Sequence, residues 1–353
     1  MEVKFARQFY KSAESALLGA ESSAKITKFA LQPRQSEMYL EDFVEIIGGK
    51  QCSATHTPLI NNVVVRAECI LRGDAFILRN LADLDEAINR GAYAIVSEKF
   101  YEIQDSEVAF ILVENLHSAL ERFAKYIKLT NGIEIFALEA IDFTLTRAIS
   151  RDKNIAFARD IFELVEALHF HIIFIDFEVL FFETESIKNT RNLLFKILYQ
   201  TLFELKIEFE NQSFELILPS IFTSNLNDIL YFFKMRHIDF KLSFDENLFL
   251  PTFINTSAQS VKYGQSMRFI YATKNKNLFK KYMEFMQSAS WGRMLILVDS
   301  ALDFETNLEV KIYKNNDELL QYFKMEKYHF FAVYGLEQCE IELRADFIEQ
   351  SLF

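Results

Sequence analysis

Thirty residues, Ile70–Lys99 (ILRGDAFILRNLADLDEAINRGAYAIVSEK), constrain the fold more than any other stretch of this chain. They read as a strand, a short helix and a second strand. Phe76, Ile77 and Leu78 are the apolar centre of the first strand. Asn80 is placed to cap the helix, and Asp83, Asp85 and Glu86 crowd its first turn, where the helix dipole favours negative charge. Leu81, Leu84 and Ile88 follow the i, i+3, i+7 spacing of one helical face. Arg90 sits in the last turn, and Gly91 supplies the left-handed position that stops the helix. Ala92–Ser97 then reads as a buried strand. Physics alone makes this an α/β unit.

The same patterns recur along the chain. Met38–Gly49 carries a helical stripe at Leu40, Phe43, Val44 and Ile47 with a glycine stop, and Val63-Val64-Val65 is a strand. Val108–Val113 is an apolar strand, followed by Asn115 as N-cap and a helix with Leu116, Leu120, Phe123, Ala124 and Ile127 on one face. Thr130-Asn131-Gly132 is a linker turn, and Ile133–Leu138 is a strand. Asp160–Leu168 reads as a helix and Ile172–Phe177 as a buried strand. Ser186–Leu205 is expected to be a long amphipathic helix with Leu193, Leu194, Ile197 and Leu202 inward. Lys206–Leu218 alternates as a hairpin around Glu210-Asn211-Gln212, and Pro219 precedes a helix through Met235. A further helix covers Asn277–Gln287. Residues 1–37 are polar and rich in Ser, Ala and Lys, and are set apart as an N-terminal extension.

Charge and composition exclude several classes. Thirty-eight basic against 50 acidic residues give a net charge of −12 with no basic run, which argues against nucleic acid and anionic membranes as partners. No window approaches the length of a charge-free membrane span, and the first residues lack the apolar core of a secretory signal. Cys52, Cys69 and Cys339 are scattered, so neither a disulfide framework nor a zinc ribbon is indicated. A reducing cytoplasm is the expected compartment. With 353 residues, roughly two or three domains are expected.

Arg72-Gly73-Asp74-Ala75-Phe76, a helix ending Ala87-Ile88-Asn89-Arg90-Gly91-Ala92, and the strand Ala94-Ile95-Val96 together resemble the N-terminal domain of the Mur ligases. Those enzymes build the peptide stem of peptidoglycan precursors. The resemblance covers most of residues 38–353 and is best to the branch that adds D-alanyl-D-alanine. It implies an α/β, three-domain Mur-ligase-like architecture: an N-terminal domain at 38–129, a central domain at 130–248 and a C-terminal domain at 249–353. The central domain is trimmed, with about half the residues the family spends there.

Within that likeness the polar positions depart from the family pattern in all three domains. Where an Asp-Ser-Arg helps the family hold a uridine nucleotide, this chain has Val64-Val65-Arg66. Leu218-Pro219 with Asn225 or Asn227 is similar to the helix entry that closes the family's central domain. In the C-terminal segment Phe269 replaces an Asp while Tyr271 remains, and Asp299 is kept after Val298. Tyr334 and Leu336 stand where Lys and Ser are usual, on either side of Gly335.

The largest departure lies after Ile133–Leu138, where a Mur ligase carries its phosphate loop. Such a loop needs glycines so that successive N–H groups face the phosphates, plus a Lys and a Ser or Thr for charge and Mg²⁺. This chain reads Ala137-Leu138-Glu139-Ala140-Ile141-Asp142-Phe143-Thr144-Leu145, with no glycine and no lysine, and no G-x-x-G-K-[ST] occurs elsewhere. Glycine is scarce throughout, at nine residues, which leaves few places for backbone to approach a phosphate.

Other constellations are weaker. His169 and His171 share one strand face and, with Asp176 or Glu178, offer a metal, but no third ligand follows at ligand spacing, and a structural role is the plainer reading. Glu178, Glu183 and Glu185 are placed like the family's magnesium glutamate, yet with no bound phosphate to bridge they read as a solvated edge. Lys274, Lys276, Lys280 and Lys281, beside Arg268 and Tyr271, could receive a pyrophosphate or a muramyl carboxylate, against the plainer reading of a solvated helix end. His117 and His56 have no nucleophile beside them. The runs Phe181-Phe182, Phe232-Phe233 and Phe330-Phe331, in a chain with 37 phenylalanines, read as core.

These readings imply a degenerate family member without ATP chemistry, catalytic residues, metal or cofactor. It would bind a protein of the cell-wall synthesis or cell-shape machinery, or a muramyl-peptide ligand at Arg66, Arg268, Tyr271 and Lys274. The alternatives are a working ATP-dependent ligase adding D-alanyl-D-alanine to a UDP-muramyl tripeptide through an unrecognised nucleotide site, and a purely structural interaction protein with filled clefts and a large apolar patch.

Overall fold

The residues of the opening motif lock into one another, and that lock explains their spacing. Gly73 and Gly91 both take positive φ, +97° and +87°. The Gly73 N–H donates to the Gly91 carbonyl at 3.0 Å, and the Tyr93 N–H to the Asp74 carbonyl at 2.8 Å. Asp74 is buried, and its Oδ2 accepts from the Leu71 N–H at 2.8 Å. A Cβ on Gly73 would come within 2.2 Å of Asn61 Nδ2, whose amide donates to the Arg72 carbonyl. At Gly91 a Cβ would lie 3.4 Å from the Arg72 α-carbon. The two glycines therefore face each other across the turn and the helix stop, as a pair.

This computed structural model describes residues 38–53, 59–103, 105–187, 192–245, 248–300 and 306–341. The expected extension 1–37 and His56 lie outside them. The chain divides into two units, one of residues 38–147 and 152–187, the other of residues 148–151 and 192–341 among those described.

The first unit starts with β1 (Met38–Tyr39) and helix α1 (Leu40–Ile47), closed by Gly48 in the left-handed region as its sequence predicts. Then follow β2 (Lys50–Gln51), β3 (Leu59–Ile60), β4 (Val63–Val64), β5 (Ala75–Ile77), α2 (Leu84–Asn89), β6 (Ala94–Ser97) and β7 (Ala109–Leu112). β1 pairs with β3, and the other strands form one sheet in the order β2-β7-β6-β5-β4, parallel except at the β2 edge. Successive residues of a strand face opposite sides. Phe76 accordingly joins Ile95, Phe110 and Ala87 on one side, while Ala75 and Ile77 pack on the other with Phe43 and Phe123. Leu81 does not join the apolar face expected of it. Leu81–Asp83 is a 3₁₀ turn, whose tighter winding breaks the stripe, and Leu81 is exposed while Ala87 makes the buried contact.

Helix α3 (Leu116–Asn131) starts at Asn115, whose Oδ1 accepts from the Ser118 N–H at 2.8 Å, and ends at Gly132. Its predicted stripe is buried throughout. β8 (Glu134–Ala137), α4 (Ala140–Ile149), β9 (Ile155–Ala158), α5 (Ile161–Ala167) and β10 (Ile172–Ile175) make a three-stranded parallel sheet in the order β8-β10-β9. One apolar cluster runs from Phe43 and Ile111 through Phe123 to Ile135, Leu164 and Ile173, so both sheets share a core.

Of the expected helix Ser186–Leu205, residues 188–191 lie outside the described residues, and the part in the second unit from 192 on forms no helix but strands and a turn. β12 (Glu204–Phe209) pairs antiparallel with β11 (Lys196–Gln200) on one side and β13 (Gln212–Ile217) on the other. The apolar spacing has a second reading at period two, with Phe195 buried and Ile197 half-buried while Lys196 and Leu198 face out. Asn227 fixes the extended form: its Oδ1 accepts from the Leu194 N–H, and its Nδ2 donates to the Asn192 carbonyl. The β12–β13 hairpin is as expected, with a two-residue turn at Glu210 and Asn211, both at positive φ.

Helix α6 (Thr223–Arg236) follows Pro219. β14 (Thr252–Ile254), β15 (Ser260–Val261), β16 (Phe269–Thr273), α7 (Lys276–Ser288), β17 (Met294–Val298), β18 (Val310–Ile312), α8 (Asn316–Phe323) and β19 (Phe330–Tyr334) complete the unit. Its sheet runs β15-β14-β16-β19-β17-β18, with the last four strands parallel. α8 packs Leu319 and Phe323 against Ile270, Leu297 and Phe331. α7 brings Tyr282 onto Tyr271, with ring centroids 4.2 Å apart.

Candidate functional site

Ligands of parallel α/β sheets bind beyond the carboxyl ends of the strands, where each strand turns into its helix. In the sheet β8-β10-β9 that turn is Leu138-Glu139, two residues between the end of β8 and the start of α4. The Leu138 N–H is taken by the Ile175 carbonyl at 2.8 Å, and the Glu139 carbonyl accepts from the Phe143 N–H at 2.9 Å. The strand thus passes into the helix through two residues, without the glycine-rich loop that would wrap a phosphate. Glu139 and the first-turn Asp142 put carboxylates where the helix dipole would otherwise attract an anion. Past β10, burial pushes the Asp176 carboxyl up, with Arg159 pulling it back.

Glu185 is no solvated edge. Its Oε1 pairs with Lys128 Nζ at 2.9 Å and its Oε2 accepts from the Ile135 N–H at 2.9 Å. Its backbone forms a parallel bridge with Phe136, extending the sheet beyond β8. The His169 ring lies tilted against Phe170 with centroids 4.1 Å apart, and burial lowers its pKa, while His171 is exposed. Among the described residues no three His, Cys, Asp or Glu side chains gather as metal ligands. An unfolded chain binds a proton at His169 near pH 6.5, the folded one only at lower pH, so protonation favours unfolding. Stability is expected to fall as pH drops below about 6.5, and the urea midpoint of His169→Phe to depend less on pH across that range.

The four predicted binding residues go to different places. Arg66, in the first unit, pairs through Nε with Glu166 Oε1 at 2.6 Å. Burial pushes the Glu166 carboxyl up and Arg66 pulls it partly back. Arg268, in the second, is buried, and burial lowers its pKa. Its Nε donates to the Tyr328 carbonyl at 3.0 Å and Nη1 to Asn255 at 2.9 Å, while Nη2 donates to Phe323 at 2.6 Å and Met325 at 3.0 Å. Its plane lies over Phe331, 5.5 Å from the ring centroid. Tyr271 is buried, and burial raises its hydroxyl pKa far above the ordinary value. Lys274 is exposed and pairs with Glu340 at 3.1 Å. Arg268 and Lys274 flank the two ends of β16, about 20 Å apart along the strand. Arg268 and Tyr271 serve the core, and Lys276, Lys280 and Lys281 are exposed on α7.

Two further positions of the family-like pattern meet each other. Gly335 takes φ +97°, and a Cβ there would lie 2.3 Å from Asp299 Oδ2. The Phe-rich pairs 232–233 and 330–331 are buried, and Phe181 and Phe182 are half-buried. Glu121, fully buried on α3, does not stand out in the sequence; its one signal there is its place flanking the apolar stripe, three residues before Ala124 and four after His117.

Parallel sheets with flanking helices, and a strand leading directly into a helix at the ligand-binding edge, define a layered α/β protein. No protein-family model matches the chain, and no curated protein does. Among solved structures it is similar to MurF from Acinetobacter baumannii, with a TM-score of 0.49 and 10% identity over 89% of this chain and 99% of that one. A UDP-N-acetylmuramoylalanyl-D-glutamyl-2,6-diaminopimelate–D-alanyl-D-alanyl ligase from the same organism gives 0.47 and 10%, over 89% and 99%. MurF ligase from Thermotoga maritima in complex with ADP gives 0.43 and 10%, over 80% and 96%.

Proposed function

We propose that this chain is a non-catalytic Mur-ligase-like protein that acts in peptidoglycan synthesis or cell-shape control by binding a protein partner or a muramyl-peptide ligand. The observation that carries the reading is the two-residue turn Leu138-Glu139, where β8 enters α4 without a glycine or a lysine. Ligation in that family proceeds through an acyl-phosphate, and positioning alone does not replace bound phosphates and their metal. The family side of the reading rests on the motif of Ile70–Lys99, whose glycines interlock as a pair.

The three-part division with boundaries near 129 and 248 belongs to this proposal, as does a cytoplasmic location. Among the described residues no helix is long and apolar enough to cross a membrane. Arg66 and Lys274, each in its own unit, are the two predicted positions whose ion pairs an anionic ligand could displace. Turnover tests the reading: purified protein with Mg-ATP, UDP-muramyl tripeptide and D-alanyl-D-alanine is expected to release no phosphate above the protein-free rate. Sustained release that requires all three substrates would restore the ligase.

A further inference from the structure

We propose that residues 177–187 form a strap that opens and closes over helix α3 as a local unit, with the buried carboxylate of Glu121 as its latch. The strap leaves the end of β10 and, apart from the bridge of Glu185 to Phe136, lies in no sheet. Phe177, Val179 and Phe182 rest on the core, and Glu185 is held by Lys128 and the Ile135 N–H. Between those holds, among the described residues, one side chain grips the backbone. Glu121 Oε2 accepts from the N–H groups of Leu180 at 2.9 Å and Phe181 at 3.1 Å. Arg122, next along α3, lies over the Phe181 ring, 5.2 Å from its centroid. Leu180, at the apex, is 82% exposed and gives the strap no apolar anchor there.

The latch is balanced between two states by its own chemistry. Glu121 is fully buried, and a buried carboxylate needs hydrogen bonds to offset the water it has lost. One oxygen has two; Oε1 has none, although His117 Nδ1, on a half-exposed side chain, stands 3.2 Å away. Closing the strap gives Glu121 two amide donors but keeps the other oxygen dry. Opening it loses both donors while water returns to the whole carboxylate, which stays beside His117. Those terms oppose each other, so the strap opens at a lower cost than the sheet beneath it. Segments with few bonded amides and few apolar contacts open in this way, independently of global unfolding.

Hydrogen exchange by mass spectrometry on the full chain reads the device directly. In the native protein the Leu180 and Phe181 amides are expected to exchange at least tenfold faster than those of β10. Glu121→Met keeps the volume and removes the acceptor, and is expected to speed exchange across 178–183 a further tenfold while β6 and β10 stay within twofold. Glu121→Gln keeps an accepting oxygen and is expected to stay within threefold of the native rate. Acceleration spread equally over β6 and β10 would make Glu121 an ordinary core residue and overturn the latch, as would unchanged exchange at 178–183. Should Glu121→Met not fold, Leu180→Pro deletes one donor from the exposed side. Faster proteolytic nicking within 178–183 supports the strap, and an unchanged rate refutes it.

Discussion

Replacing Arg268 by methionine is expected to destabilise the second unit by about 3–5 kcal/mol, although the residue is among those that sequence reasoning assigns to ligand binding. The carbonyls of Tyr328 and Phe323 would each lose a donor in a buried setting, at about 1–3 kcal/mol for a buried acceptor left unsatisfied, with incomplete additivity, while those of Asn255 and Met325 would lose a half-buried bond but keep the Ala258 and Tyr328 N–H groups. The guanidinium also joins three parts of the chain. It ties the turn before β15 and the end of α8 to the residue leading into β19, and its charge sits at the α8 carbonyl end, where the helix dipole favours a cation. Lysine would not substitute, because one ammonium cannot fork to carbonyls in different directions. Urea unfolding followed by the fluorescence of Trp291, the single tryptophan, is the measurement; its ring packs edge-on against Phe330 in the same unit. A variant that folds with native stability and loses only ligand affinity would return Arg268 to the binding site.

Gly73→Ala is expected to cost the first unit about 2–4 kcal/mol. A side chain at φ +97° is strained by about 1–2 kcal/mol. The new Cβ would also drive Asn61 from the Arg72 carbonyl, losing a bond that contributes about 1 kcal/mol. Gly132→Ala in the same unit is the control. It shares the positive φ but has no atom within 4 Å of the added carbon, so about 1 kcal/mol is expected. Equal losses in the two variants, read from urea midpoints, would show that the close approach of Gly73 to Asn61 adds nothing.

Features set by near neighbours along the chain are legible in the sequence itself. Asn115, Asp160 and Asn80 cap their helices because a short side chain and the amides it reaches lie two or three residues apart. Gly48, Gly91 and Gly132 stop helices for an equally local reason, and the Glu210-Asn211 hairpin follows from alternation on both sides of a turn. What the sequence hides depends on distant parts of the chain. Leu194 and Ile197 fit a helical spacing while Phe195 and Ile197 fit an alternating one, and Asn227, more than 30 residues away, settles the choice by holding Leu194 and Asn192 extended. Arg268 reads as a site residue because an arginine near a tyrosine and lysines is a common anion pattern; only the fold brings four carbonyls around it. The missing glycines and lysine of a phosphate loop are readable because they are a matter of residue types; the two-residue connection from β8 to α4 is seen only in the fold.

We propose that this α/β scaffold does not bind and use ATP, and equilibrium calorimetry with Mg-ATP is the test. Titration of the full chain is expected to give only the heat of dilution, because the turn at Leu138-Glu139 offers two carboxylate-flanked residues where a nucleotide needs free amides and a lysine. Saturable heat with a dissociation constant in the micromolar range would overturn this and return ligase chemistry to the chain.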